Sequence, residues 1–193
     1  MGLMEQTAAL FDLAGTPELT LGGDFEAIVR LYWPKVFRFA FASLGDRDAA
    51  ETIAQDCFWK AYESRDRFRN ECSLNGWLMR IAVNLIRDHG RNRRLQFWRR
   101  TRQFGSAPEQ FAERWADARL SPEQDALLKE RLTAVWKAAS ELSERQRTVF
   151  LLRFVEEMEI LEIARVTGLR EGTVKAHLFR AVQSVRERIE AGK

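Results

Sequence analysis

The stretch EIARVTGLREGTVKAHLFRA, Glu162–Ala181, decides how this chain is read. Ala164 is small where two helices must cross closely. Gly168 follows where the turn between them can demand a positive φ. Val174 opens a buried face that Leu178, Ala181, Val182 and Val185 continue at helical spacing. Arg170, Thr173, Lys175, Ala176, Phe179 and Arg180 are thereby left toward solvent near the start of the second helix. A helix-turn-helix presents the N-terminal half of its second helix to base edges in the major groove. An ordinary helical hairpin with a solvated basic face fits the same pattern, so the rest of the chain has to decide between them.

The chain has 193 residues, enough for one large or two small domains, and its 46% hydrophobic content can fill a core. Only four Pro interrupt long segments of 3.6-residue period, which predicts an all-α protein. The formal net charge is +3, but it is unevenly spread. Met1–Gly23 carries three acids and no base, whereas Arg67–Gly105 holds ten Arg against Glu71 and Asp88 alone. A basic block inside a nearly neutral chain points to a polyanion contact at one place.

Cys57 and Cys72 lie fifteen residues apart, with no CxxC or Cys/His spacing, so neither zinc nor any other metal is expected and reduced thiols are. No basic start followed by an apolar run suggests a signal peptide. No segment approaches the apolar length of a membrane span, so direct membrane insertion is not expected and the cytoplasm is the expected location. His89 and His177 fall in different parts of the chain, and no Gly-rich phosphate loop or paired-acid site accompanies them. An enzyme, a cofactor and a small-molecule substrate are therefore not expected.

Residues 1–23 are read as a disordered N-terminal extension ending in Gly22-Gly23. Asp24 is placed to cap a first helix whose apolar set is Phe25, Ile28, Val29, Tyr32, Val36, Phe39 and Ala40, with Pro34 expected to kink or break it. Asp46 or Asp48 starts a second helix that runs to about Ser64. Its core face is Ala50, Ile53, Ala54, Cys57, Phe58 and Ala61. Asp48, Glu51, Thr52, Gln55, Trp59 and Tyr62 fall opposite. An acidic stripe is usually only a solvated face, but aromatic residues on it favour a protein partner.

Arg69–Ser73 reads as a loop, and Ser73 can cap a third helix with core residues Leu74, Trp77, Leu78, Ile81, Ala82 and Leu85. The other face aligns Arg80, Asn84, Arg87 and Arg91, a basic stripe holding one amide able to bond a base. Gly90 is expected to weaken or end the helix. Arg93, Arg94, Arg99, Arg100 and Arg102 follow and strengthen a nucleic-acid reading. Residues 96–120 lack a clean period and are read as a linker that docks through scattered aromatics. Ser121-Pro122-Glu123-Gln124 and Ser143-Glu144-Arg145-Gln146 are both capped helix starts.

These motifs, in this order, resemble the extracytoplasmic-function group of bacterial sigma factors. DAAETIAQDCFWKAY (Asp48–Tyr62) is similar to the helix that docks on the polymerase clamp, and FRNECSLNGWLMRIAVNLIRDHGRNRR (Phe68–Arg94) to the downstream-element reader. LSERQRTVFLLRFVEEMEILEIARVTGLREGTVKAHLFRA (Leu142–Ala181) is similar to the upstream-element reader. The resemblance implies two small helical domains joined by a flexible linker: region 2 over 24–95, a linker over 96–120 and region 4 over 121–193. It departs at Thr52, where an acid is usual, at Glu159 and Arg170, where capping Ser is expected, and at Gly90, which replaces an apolar residue.

The resemblance also implies roles. Asp48, Glu51, Gln55, Asp56 and Trp59 would bind core RNA polymerase. Arg69, Asn70, Glu71, Cys72, Ser73, Trp77 and Asn84 would form the single-strand pocket of the downstream element, with Arg80, Arg87 and Arg91 on nearby phosphates. Arg170, Thr173, Lys175, Ala176, His177, Phe179 and Arg180 would face the upstream element, Thr173 and His177 toward the backbone. Promoter DNA, core polymerase and an anti-sigma factor would be the partners, in the bacterial cytoplasm at the nucleoid. A stand-alone helix-turn-helix regulator remains an alternative. So does a decoy that binds polymerase or anti-sigma factor without reading promoters.

Overall fold

The computed structural model describes residues 25–68, 72–96 and 122–191. The expected extension, the Asp24 cap, the linker and the Ser121 cap lie outside the described residues, as do Arg69, Asn70 and Glu71. Every regular element among the described residues is helical. Helices α1 (Phe25–Leu44), α2 (Arg47–Ser64) and α3 (Leu74–Gln96) form one unit, with a 3-10 turn at Arg65–Arg67 after α2. Helices α4 (Pro122–Ser140), α5 (Glu144–Phe154), α6 (Ile160–Thr167) and α7 (Glu171–Ala191) form the other.

The α1–α2 hairpin is set by local chemistry. Gly45 sits at φ 67, a left-handed conformation that a side chain would disfavour, and its N–H closes onto the Phe41 carbonyl at 2.8 Å. Asp46 then caps α2, its Oδ1 accepting from the Ala49 N–H at 3.1 Å. A cap of this kind contributes about 1 kcal/mol. The core face expected for α2 is buried throughout: Ala50, Ile53, Ala54, Cys57, Phe58 and Ala61. Its small residues let α1 approach, where Trp33 stacks on Phe58 at a centroid distance of 5.7 Å. Pro34 does not break α1, which runs unbroken through it. Pro34 is exposed, so the N–H it lacks is missing from the solvated side of α1 and not from the packed core.

Helix α3 also runs on, through Gly90 to Gln96. A helical Gly costs only about 1 kcal/mol relative to Ala, less than packing of the preceding turns supplies. Ser73 caps α3, its hydroxyl oxygen accepting from the Gly76 N–H at 3.0 Å. The apolar face of α3 is wider than the sequence reading gave it. Besides Leu78, Ala82 and Leu85, it buries Met79, Val83 and Ile86, while Leu74, Trp77 and Ile81 are half-buried. The extra surface is covered because α3 is packed on two sides, by α1 and α2 on one and by α6 on the other.

The two units are accordingly docked. Helix α1 packs against α4 and α5, helix α3 against α6, and the buried apolar residues form one continuous cluster from Ile28 to Val185. Polar contacts among the described residues also cross the seam. The Arg38 guanidinium meets the Glu156 carboxylate at 3.3 Å. Arg147 donates to the Ser43 carbonyl at 2.9 Å, and to the carbonyls of Ala139 and Leu142 at 3.2 and 3.0 Å in its own unit. Ser73 donates through its hydroxyl to Glu162 Oε1 at 2.6 Å.

Candidate nucleic-acid and polymerase interface

The geometry of the helix-turn-helix follows from a few positions. Gly168 ends α6 in the left-handed conformation, φ 71 and ψ 19. The turn then delivers Arg170, whose carbonyl accepts from the N–H groups of Thr173 and Val174 at 2.9 and 3.0 Å and so starts α7 through the backbone. Ile163, Ala164 and Val166 from α6 are buried, as are Val174, Ala181 and Val185 from α7. Glu159 supplies no side-chain cap to α6 and instead pairs with Arg153 at 3.0 Å. The same guanidinium donates to the Met158 carbonyl at 2.9 Å, which fixes the loop by another route.

That packing turns one row of α7 outward. Arg170, Thr173, Lys175, Ala176, Phe179 and Arg180 are all exposed, and Phe179 keeps 66% of its surface open. An exposed apolar ring among cations suits a thymine methyl flanked by phosphates. His177 differs from its neighbours. It is half-buried, and its Nδ1 is enclosed without a hydrogen-bond partner. Partial burial, then the nearby Arg180 and Arg145 charges, hold its imidazole below the usual histidine range. At neutral pH it offers an uncharged ring.

On the other unit, Arg80, Asn84, Arg87 and Arg91 are exposed along one side of α3, as their spacing requires. Trp77 is half-buried with its ring 5.0 Å from that of Phe68, and Cys72 is half-buried in the turn before Ser73. Arg87 and Arg91 also line an inter-unit cleft of 290 Å³, whose opposite wall includes Thr167, Gly168 and Leu169 of the helix-turn-helix.

The outer face of α2 carries Asp48, Glu51, Thr52, Gln55, Asp56, Trp59 and Tyr62, all exposed, with Trp59 65% open. Tyr62 is steadied by the edge of Phe25 at 5.2 Å and by the Arg65 guanidinium 4.1 Å from its ring centroid. Trp59 has the larger open apolar surface of the two. Thr52 turns its hydroxyl inward to the Asp48 carbonyl at 2.9 Å, a local bond that a carboxylate could not donate.

Sequence reasoning missed Arg38, Arg147, Glu156 and Glu162, the residues that join the units. A signal was present in α3: Met79, Val83 and Ile86 extend its apolar face beyond what one neighbouring layer can cover. Among the described residues no helix is long and apolar enough to cross a membrane, and no group of three or more His, Cys, Asp or Glu side chains is placed to hold a metal ion.

Comparison with known proteins agrees with this geometry. Sigma-70 region 2 matches residues 28–96 and Sigma-70, region 4 matches residues 132–185. The chain is 30% identical over 167 residues to the RNA polymerase sigma-H factor of Pseudomonas aeruginosa, covering 83% of each chain. It is 28% identical over 166 residues to the ECF RNA polymerase sigma factor SigW of Bacillus subtilis, covering 86% of this chain and 88% of SigW. The fold is similar to that of the sigma factor RpoE of Bartonella quintana, solved with the anti-sigma factor NepR, at a TM-score of 0.64 and 22% identity over 88% of this chain and 99% of that one. With both sigma regions matched in their order along the sequence, the chain belongs to the extracytoplasmic-function group of RNA polymerase sigma factors.

Proposed function

We propose that this chain binds core RNA polymerase, recognises a two-part promoter and opens the DNA by capturing one strand. The observation that carries the reading is the exposure of two separate readers: the Arg80–Asn84–Arg87–Arg91 stripe on α3 and the Arg170–Arg180 row on α7. In this reading residues 24–95 act as the downstream unit and 121–193 as the upstream one. Lys175, Phe179 and Arg180 meet duplex bases and phosphates, while Arg170, Thr173, Ala176 and the uncharged His177 lie against the backbone or groove wall.

Asn84, with the loop from Arg69 through Asn70, Glu71 and Cys72 to Ser73, holds a base flipped from the open strand, near Trp77. Flipping costs a few kcal/mol. Stacking and pocket contacts of about 1–3 kcal/mol per base offset it. No covalent step or nucleotide hydrolysis is required. Neither reader neutralises many phosphates, so each alone binds weakly. Joined on the polymerase, they gain a high effective concentration for each other's element.

The α2 face of Asp48, Glu51, Gln55, Asp56 and Trp59 is the proposed polymerase contact. An anti-sigma factor is proposed as a second partner, supported by the exposed Trp59 and by the anti-sigma complex of the Bartonella relative. The cytoplasm, at the nucleoid, is the site of action that follows.

The deciding experiment mixes the purified chain with sigma-free core polymerase and genomic DNA and sequences the transcript starts. A shared two-part motif upstream of the starts is expected. No transcript above the core-only control would instead favour a decoy that occupies polymerase without reading promoters.

A further inference from the structure

We propose that the inter-unit cleft is a binding site for a nucleoside diphosphate, with base and sugar on its apolar lining and the phosphates on its arginines. Promoter reading assigns Arg87 and Arg91 to DNA and leaves the rest of the cleft without a role.

The apolar part comes first. The cleft encloses 290 Å³, close to the lower end of the range in which pockets hold small organic ligands. Val83 and Ile86 of α3 and Val149 of α5 are buried residues of its lining, and Leu169 is half-buried there. Water against such a lining finds few hydrogen-bond partners, so a flat apolar body that displaces it is favoured.

The cationic part is Arg87 and Arg91 of α3 and Arg145 of α5, all exposed, with Glu144 as the one carboxylate of the lining. Arg91 meets Asp88 only at 3.9 Å, between exposed side chains. Among the described residues Arg87 and Arg145 have no ion-pair or hydrogen-bond partner. A guanidinium fork matches phosphate oxygens in pairs. Several such forks from two helices suit a diphosphate better than a single carboxylate.

The remaining polar groups ask for donors on the ligand. Thr148 and Thr167 donate their hydroxyl protons to the carbonyls of Glu144 and Ile163, at 2.9 and 2.6 Å. Their oxygens, like the Glu144 carboxylate, are left as acceptors. Sugar hydroxyls and base amino groups supply the matching donors, which inorganic phosphate or a simple lipid phosphate lacks.

Gly90 fits the same site. A Cβ at this position would meet Glu144 Oε2 at 3.8 Å and no other atom within 4 Å. An apolar side chain there would extend toward Glu144 and crowd that edge of the cleft. An open edge accounts for a residue that helix propensity disfavours.

The test is calorimetric titration of the full chain in magnesium-free buffer. The probes are ADP and GDP, with adenosine and inorganic pyrophosphate as the two halves of the ligand. ADP or GDP is expected to saturate one site with a Kd of about 1–100 μM, the range open to a ligand of this size, and each half is expected to bind at least about 10-fold more weakly. Arg145→Gln lies outside the proposed promoter and polymerase contacts. It is expected to weaken nucleotide binding about 10-fold or more, as for the loss of one charge-assisted hydrogen bond. Gly90→Leu is expected to weaken binding while raising the melting temperature, because leucine favours the helix. Its loss of binding is then not a loss of folding. If Arg145→Gln fails to fold, Gly90→Leu decides alone.

No saturable binding of either nucleotide below about 1 mM overturns the proposal. Either half binding as tightly as the whole nucleotide overturns it as well. Binding that either folded variant leaves unchanged places the nucleotide outside the cleft. A single-stranded oligonucleotide that binds through Arg145, where ADP does not bind, assigns the cleft to DNA instead.

Discussion

Arg38 and Glu156 stand 118 residues apart in the chain and 3.3 Å apart in the fold. The Glu156 side chain retains only 1% of its exposure and that of Arg38 20%. The pair ties the middle of α1 to the loop after α5. Burial pushes the Glu156 carboxyl above its ordinary value of 4.5, outweighing the downward pull of Arg38 and Lys35 from α1, while Glu157 adds to the rise. Desolvation exceeding the attraction of the partner is common for buried ion pairs.

A pH dependence follows from that direction. A carboxyl whose folded value is raised binds its proton more tightly in the folded chain. Its contribution to stability is complete below the ordinary value and is lost as pH rises through the raised one. The difference in melting temperature between wild type and Glu156→Gln should therefore vary with pH, with wild type losing ground as pH climbs from about 4.5. Parallel melting curves for the two chains across that range would show that Glu156 titrates as it does in the unfolded chain.

Gly168 is a cost of backbone shape alone. At φ 71 a Cβ would meet no atom within 4 Å, so Gly168→Ala introduces strain without a clash. A left-handed alanine costs about 1–2 kcal/mol. Chemical denaturation should show that loss in the midpoint, while promoter binding by the folded population on polymerase stays unchanged. A loss of binding without loss of stability would mean that the turn itself touches DNA.

The two cysteines should differ sharply. Cys57 is buried, its thiol donates weakly to the Leu78 carbonyl at 3.4 Å, and burial pushes it up to about 12. Cys72 is half-buried in the turn ahead of α3. Under native conditions a thiol reagent at pH 8 should modify Cys72 and leave Cys57 untouched until the chain is unfolded. Mass spectrometry of the labelled peptides reads the outcome directly.

The two readers should separate kinetically. Lys175→Ala or Phe179→Ala, each exposed, should weaken promoter capture about 5- to 150-fold, corresponding to about 1–3 kcal/mol per lost base contact. Asn84→Ala should leave duplex capture near wild type and instead lower the yield of permanganate-reactive open complexes. Equal defects in both assays for all three variants would argue against a division of labour between α3 and α7.

Much of the fold was legible because it is local or periodic. The buried and exposed faces of α2 follow from helical spacing around Ala50, Ile53, Ala54, Cys57, Phe58 and Ala61. The caps at Asp46, Ser73 and Ser143 follow from the unpaired N–H groups of a helix start, and Ser143 forms its box with Gln146 Oε1 accepting at 3.2 Å. Local rules were overridden at Pro34 and Gly90. Both sit in helices whose other residues are held by packing, which outweighs a cost at one position. The candidate DNA and polymerase faces were visible as the residues that the same periodicity leaves outside.

By itself, the sequence determined the helices, their caps, their apolar stripes and the order of the motifs, because each depends on residues within a few turns of one another. Only the tertiary structure decided that the two units meet, that Ser73 lies on Glu162 and that Arg38 finds Glu156. Those contacts join residues 89 and 118 positions apart, and no local pattern specifies such a pairing. The docking is chosen by complementarity of two finished surfaces: the wide apolar face of α3 against α6, and the polar edge of α1 against the loop after α5.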